Sequence, residues 1–210
     1  MKKTIVLGGG LGLLILAIVF AASLQPGARP EEKNVPQTVA DPLTLPGIST
    51  TTSPWPVELV HLKERLAADA LPALATEGNV LHIHQHLDLF VAGKALTIPS
   101  GIGVNESARF ISPLHTHNTT GIIHVESPYT AVFTLGEFFD IWGVRFTATC
   151  LGGHCVDDRH SLQVYSNGEL YKGDPRLIPL TAHQQITVVY GTPEEAPVDI
   201  PSSYTFPPGE

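Results

Sequence analysis

Methionine occurs once in the 210-residue chain, at position 1, and cysteine only twice. With no methionine beyond Met1, a thioether site for Cu(I) has no ligands to draw on. The two cysteines lie close together in Cys150-Leu-Gly-Gly-His154-Cys155, a spacing that is not the Cys-x-x-Cys of thiol oxidoreductases. In an oxidising compartment so close a pair most simply closes a small loop as a disulfide. A Cys/His metal site and a redox-active pair are the alternatives. Basic residues are also scarce, 12 Lys and Arg against 20 Asp and Glu. The chain has no Gly-x-Ser-x-Gly, no phosphate-binding glycine loop, no defensible pair of catalytic carboxylates and no internal repeat, so acyl-transfer and nucleotide chemistry lack their usual signatures.

The chain starts Met1-Lys2-Lys3 and then runs from Thr4 to Ala22 without a charge. Nineteen uncharged residues, rich in Leu, Ile, Val and Gly, approach the roughly 20 needed for a membrane-spanning helix. The two lysines should stay on the cytoplasmic side, which places everything after Ala22 outside the cell. The expectation is therefore a protein of the cell membrane, held by a single N-terminal anchor over residues 1–22. A cleaved signal peptide is the alternative, because Ala21, Ala22 and Ser23 are small residues after an apolar run, and it would give a secreted protein. With Lys2 and Lys3 set aside, ten basic residues face 20 acidic ones, a net charge of −10 for the exported part. Such a domain repels nucleic acid and anionic lipid headgroups and attracts cations; the same charge also serves solubility.

Residues 23–56 carry seven prolines among Ser and Thr and read as an extended tether. From Val57 to Leu71, apolar residues alternate with Glu58, Lys63, Glu64 and Arg65 as expected of an amphipathic helix of about four turns, closed by Pro72. Beyond Asn79 the pattern turns to strands: Val80–Val91, Ala95–Pro99, Gly121–Glu126, Leu162–Tyr165, Glu169–Tyr171 and Gln185–Tyr190. Thr134-Leu-Gly-Glu137 before Phe138, Phe139, Ile141 and Trp142 has the form of a capping box opening a short helix, with Gly143 stopping it. The tail over 192–210 has no periodicity, although Tyr204 and Phe206 are candidates to pack back. The expected architecture is one α+β domain over residues 57–191, a single mixed sheet with a short packed helix.

The informative residues are histidines. Six of the chain's ten fall between positions 82 and 124, in His82-Ile-His84-Gln-His86, His115-Thr-His117 and the single His124. Side chains alternate across a strand, so His82, His84, His86 and Asp88 share one face while Leu81, Ile83, Leu87, Leu89 and Val91 fill the other. His124 and Glu126 share a face in the same way. Neighbours two apart lie roughly 6.5–7 Å from each other on a strand, and four apart about 13 Å. A His-x-His pair can therefore clamp one ion, but three alternating histidines converge on one ion only with difficulty.

The expectation is that two of His82, His84 and His86 share a divalent ion with His115, His117 or His124, the third serving a neighbouring site or a hydrogen bond. Asp88 and Glu126 would accept from a ligand's other ring N–H, or ligate directly. Nitrogen-rich, thioether-poor ligation favours zinc or copper, copper being the tighter at equilibrium. The competing reading is a row of hydrogen-bonded polar residues facing solvent. His61, His160 and His183 read as surface residues, and His154 is open between the two roles.

Known metal-enzyme patterns fit poorly. His-x-His-x-Asp-His of metallo-β-lactamase-like hydrolases needs Asp where His86 stands. Amidohydrolase-like sites belong to barrels near 250 residues. In cupins Glu follows His-x-His within a few residues, whereas Glu126 lies too far beyond His117. The function expected is a metal-binding module for metal handling or sensing. A small metal-dependent hydrolase or oxidoreductase, and an envelope interaction domain whose histidines hold no metal, are the alternatives.

Two resemblances complete the reading. Leu162-Gln-Val-Tyr-Ser-Asn-Gly-Glu-Leu and Ile186-Thr-Val-Val-Tyr190-Gly191 resemble the closing strands of β-grasp, ubiquitin-like domains over about thirty residues. Sulfur-carrier members of that fold end in Gly-Gly, whereas this chain continues past Gly191, so that activity is not implied. His82-x-His84-x-His86-Leu, Leu114-His-Thr-His117 with Gly121-Ile-Ile-His-Val-Glu126-Ser127, and Phe133-Thr-Leu-Gly-Glu-Phe-Phe139 before Trp142-Gly143 resemble a family of exported or membrane-anchored microbial proteins with no established function. That likeness spans roughly residues 57–191; it supports the domain boundaries and implies no activity.

Overall fold

The computed structural model describes residues 41–210; the anchor expected over 1–22 and the first part of the tether lie outside them. Among the described residues no helix is long and apolar enough to cross a membrane. Among the described residues the fold is α+β, with one main mixed sheet and two α-helices, α1 (Leu62–Ala68) and α2 (Leu135–Trp142). The strands are β1 (Leu81–Val91), β2 (Lys94–Leu96), β3 (Val104–Asn105), β4 (Phe110–Ile111), β5 (Leu114–His115), β6 (Ile122–Ser127), β7 (Cys150–Leu151), β8 (His154–Cys155), β9 (Ser161–Ser166), β10 (Glu169–Leu170) and β11 (Gln184–Gly191).

The main sheet has the order β10-β9-β11-β1-β6-β5, with β2 also on β1. β1 runs parallel to β11 and antiparallel to β6, and the first half of β1 pairs with β6 while the last three residues pair with β2. β3–β4 and β7–β8 are small separate ladders. Alternation along β1 divides it as its sequence implies. Leu87, Leu89 and Val91 are in the core with Leu81 and Ile83 packed against it, and the histidines occupy the opposite face. Gln85 is the polar member of the apolar face; its amide donates to the Ile83 and Ile123 carbonyls, which keeps it buried without a stray N–H.

α2 is buried along its whole length. The Thr134–Glu137 capping box is formed at its start, and Gly143 closes its end in the left-handed conformation (φ +84°), which costs a glycine little. Phe139 stacks on Trp142 and on Phe146, and Phe138 meets Phe139 edge-on; with the apolar face of the sheet these rings make the core.

The helix expected over 57–71 is shorter than its apolar pattern implies. Glu58 lies ahead of the helix, and its carboxylate accepts from the Val60 and His61 N–H groups and pairs with the buried Arg65. At the other end Ala70 turns left-handed (φ +54°), and the Leu71 N–H reaches the Leu66 carbonyl at 2.7 Å, a Schellman closure before Pro72. The strand expected over 95–99 stops at Leu96, while β3, β4, β5, β7 and β8 are two-residue strands, too short to carry a readable period.

Chain on either side of the domain also packs on it. Trp55 is buried in the core and meets Trp142 edge-on at 6.0 Å, and Ser49 bridges Val144, although both residues fall in the stretch read as tether. In the tail, Tyr204 stacks on His86 with centroids 3.7 Å apart, and Phe206 lies against His183. The disulfide Cys150–Cys155 is present and staples the β7–β8 hairpin.

Candidate metal centre

Strand pairing alone builds a grid of nitrogen ligands. His84 pairs with His124 and His82 with Glu126 across β1–β6, and His115 pairs with His124 across β5–β6. Paired residues point to the same face of a sheet, so one row holds His84, His124 and His115, and the row beside it holds His82 and Glu126. His117 joins from just beyond β5. Thr116, between the two histidines, turns the other way: its hydroxyl donates to the Pro99 carbonyl and accepts from the Ile102 N–H. That anchor presents His115 and His117 together on the site side.

Two sets of donor atoms result, each with all its atoms within 4.8 Å of one another: His115, His117, His124 and Glu126 in one, His82, His84 and Glu126 in the other. These groups can hold a metal ion. The Nε2 atoms of His115 and His117 are 3.2 Å apart, as are those of His82 and His84. Glu126 Oε1 lies 3.3 Å from both His82 Nε2 and His124 Nδ1. Two nitrogens at 2.0–2.1 Å from a tetrahedral zinc are about 3.3–3.4 Å apart, so the spacing is that of a coordination shell. It is also hydrogen-bond distance, and a neutral imidazole pair can share a proton across it.

Orientation and protonation favour lone pairs over protons here. His115 Nδ1 lies 3.0 Å from the Ser112 carbonyl; a carbonyl only accepts, so Nδ1 carries the hydrogen and Nε2 keeps its lone pair toward the cluster. His124 turns Nδ1 to Glu126 Oε1 at 3.3 Å, and its Nε2 is buried with no hydrogen-bond partner, so one of the two ring nitrogens is available to a cation. Burial pushes the His115 imidazole down to about 4 and that of His124 down to about 3, with the neighbouring histidines adding to both. His84 is lowered by burial and then by His82. Neutral imidazole is the form that ligates.

Carboxylates supply the charge. Glu126 is buried among the rings, and burial followed by the charge of Glu77 raises its pKa. Glu77, in the loop before β1, sits 3.3 Å from His117 Nε2 and 4.0 Å from His115 Nε2. Gly78 makes this approach possible, because a Cβ there would overlap the backbone of Ser127 and Pro128. Glu210 acts on His84 in the raising direction, and its Oε2 is buried without a hydrogen-bond partner.

The expected ligands divide. His82, His84, His115, His117, His124 and Glu126 converge. His86 does not: its Nε2 donates to the Thr120 carbonyl at 2.8 Å and its Nδ1 faces Gln185 Oε1 at 2.9 Å, so both nitrogens are engaged away from the two donor sets. Asp88 follows His86, 3.7 Å from its Nδ1 and accepting from Gln185. Glu77, by contrast, was not singled out in the sequence; it is one acid in a loop, and no local pattern marks it. Elsewhere His61 and His160 pair with Glu58 and Asp157, His183 meets the Glu210 carbonyl, and His154 accepts from the Ser53 N–H.

No protein-family profile, no curated protein and no solved structure matches the chain.

Proposed function

We propose that this protein is an extracytoplasmic, membrane-anchored domain that binds a divalent transition metal, zinc or copper, for metal handling or sensing. The observation that carries the reading is the set His115, His117, His124 and Glu126, buried except for the exposed His117, in which His115 has its tautomer set by a backbone carbonyl. Three imidazoles and one carboxylate fill a tetrahedral shell, the arrangement expected of a holding site rather than an open catalytic one. The scaffold supports a β-grasp-like reading: a strand pair, a covering helix and a second strand pair precede a last strand lying parallel beside the first. The membrane location rests on the uncharged run from Thr4 to Ala22 behind Lys2 and Lys3.

A metal-dependent hydrolase is the second reading. His82, His84 and Glu126 give only three ligands on a side where the His82 side chain is 53% exposed, so a fourth position is open to solvent there.

Elemental analysis of the protein, purified without an affinity tag and titrated with Zn²⁺ or Cu²⁺, tests the metal reading. At least one tightly held ion per chain is expected, lost when His115 and His117 are both replaced by Ala. A chain that holds no ion at any pH above 6.5 would overturn it.

A further inference from the structure

The donor atoms outnumber what one ion can use. Five imidazoles and Glu126 make up the two sets, and Glu77 lies beside His117, whereas a zinc ion takes four ligands. The sets are also separate groupings: each is mutually within 4.8 Å, and Glu126 is the member they have in common. Within the second set His82 Nε2 lies 3.2 Å from His84 Nε2 and 3.3 Å from Glu126 Oε1, both close to the edge of a tetrahedral zinc shell. Glu126 stands between the sets, with Oε1 equidistant from a nitrogen of each. It is held there by ladder pairing, its own N–H bonding the Pro113 carbonyl at 2.8 Å.

We infer that the site is a dinuclear centre in which Glu126 bridges two divalent ions. One ion takes His115, His117 and His124; the other takes His82 and His84 and keeps an open position toward solvent. Because the same oxygen, Oε1, lies beside a nitrogen of each set, a single carboxylate oxygen is placed to bridge the ions; two-metal centres that clamp an oxyanion or a bridging water hold their ions roughly 3.5–4 Å apart. Glu77 beside the first set, and Glu210 acting on His84, bring negative charge to each end. The chemical class of ligand that fits the open position is therefore a small oxygen donor, a water or an oxyanion such as phosphate.

The inference rests on the metal-binding reading for its first ion but not for its second, and a stoichiometric test separates them. Wild-type chain equilibrated with excess Zn²⁺ and passed through a desalting column should retain two ions. His82→Ala, at an exposed position that leaves the core untouched, should retain one, and His115→Ala with His117→Ala should lose the other. With Cu²⁺, two ions sharing one carboxylate are magnetically coupled, so the wild type should show a half-field resonance that His82→Ala abolishes. Retention of one ion by both the wild type and His82→Ala would overturn the dinuclear centre while leaving the single-ion reading intact. Two uncoupled copper signals would also overturn it, by placing the second ion elsewhere. No retained ion in any form would overturn both readings.

Discussion

His84 and His124 face each other across the β1–β6 ladder, their rings 4.6 Å apart and nearly perpendicular. The two residues are forty positions apart in the chain, and their meeting joins the His-x-His of β1 to the His-x-His at β5. A metal ion held by this cluster would bind the native state in preference to the unfolded chain, because the sheet register assembles the full ligand set.

Metal should therefore stabilise the fold by mass action. At a free concentration a hundredfold above Kd the gain is about 2.7 kcal/mol, which thermal unfolding with and without Zn²⁺ reads directly. His84→Ala combined with His117→Ala removes a ligand from each donor set and should reduce the shift to near zero. An unchanged shift in that double variant would place the ion outside the cluster.

The pH dependence has a defined sign. His115 and His124 titrate near 4 and 3 in the native state, but near 6.5 when unfolded. Between these limits the unfolded chain binds more protons, so stability rises with pH. These two groups cost the metal-free fold nothing above about pH 6.5, and their penalty grows as pH falls through 6 and 5 until the native values are reached. Urea unfolding of chelator-treated protein should show a lower midpoint at pH 5 than at pH 7. His124→Gln should flatten that slope; a midpoint independent of pH in the wild type would contradict the burial of these rings.

Glu77 should tune affinity without supporting the fold. Glu77→Gln keeps the shape but removes the charge beside His117, so metal affinity should drop by about tenfold, equivalent to ~1.4 kcal/mol, while metal-free stability stays within about 0.5 kcal/mol. Gly78→Ala should do both kinds of damage. Its Cβ has no room against Ser127 and Pro128, and overpacking of this sort costs about 1–3 kcal/mol. Calorimetric titration and urea unfolding of the two variants distinguish the effects.

The Cys150–Cys155 bridge closes a very short loop, for which the chain-entropy estimate is about 2 kcal/mol. Protein produced in an oxidising compartment and unfolded without reductant should titrate no free thiol. Replacing both cysteines by Ser should lower stability by about that amount and leave metal stoichiometry unchanged, since neither sulfur is in a donor set.

Much of this was legible locally. The faces of β1 and β6, the capping box from Thr134 to Glu137 and the Gly143 stop follow from side-chain alternation and from hydrogen bonds only a few residues long. The four-turn helix over 57–71 misled because its apolar spacing continues through Glu58, which spends its carboxylate on Arg65 and the turn N–H groups instead. Trp55 lay hidden among prolines, where composition suggested a tether but one large ring found the core.

The sequence by itself determined that His82 and His84 share a face, that His124 shares one with Glu126, and that the apolar halves of both strands turn inward, because strand periodicity is set by bonds between neighbours. Only the tertiary structure decided which histidines meet. His86 has the same parity as His84, yet Gln185 and Thr120, 99 and 34 residues away, hold its two nitrogens. Glu77, unmarked in its own neighbourhood, reaches His117 because Gly78 lets the loop lie against the end of β6. The register between remote strands settles such meetings, and register follows from the packing of whole apolar faces rather than from any local pattern.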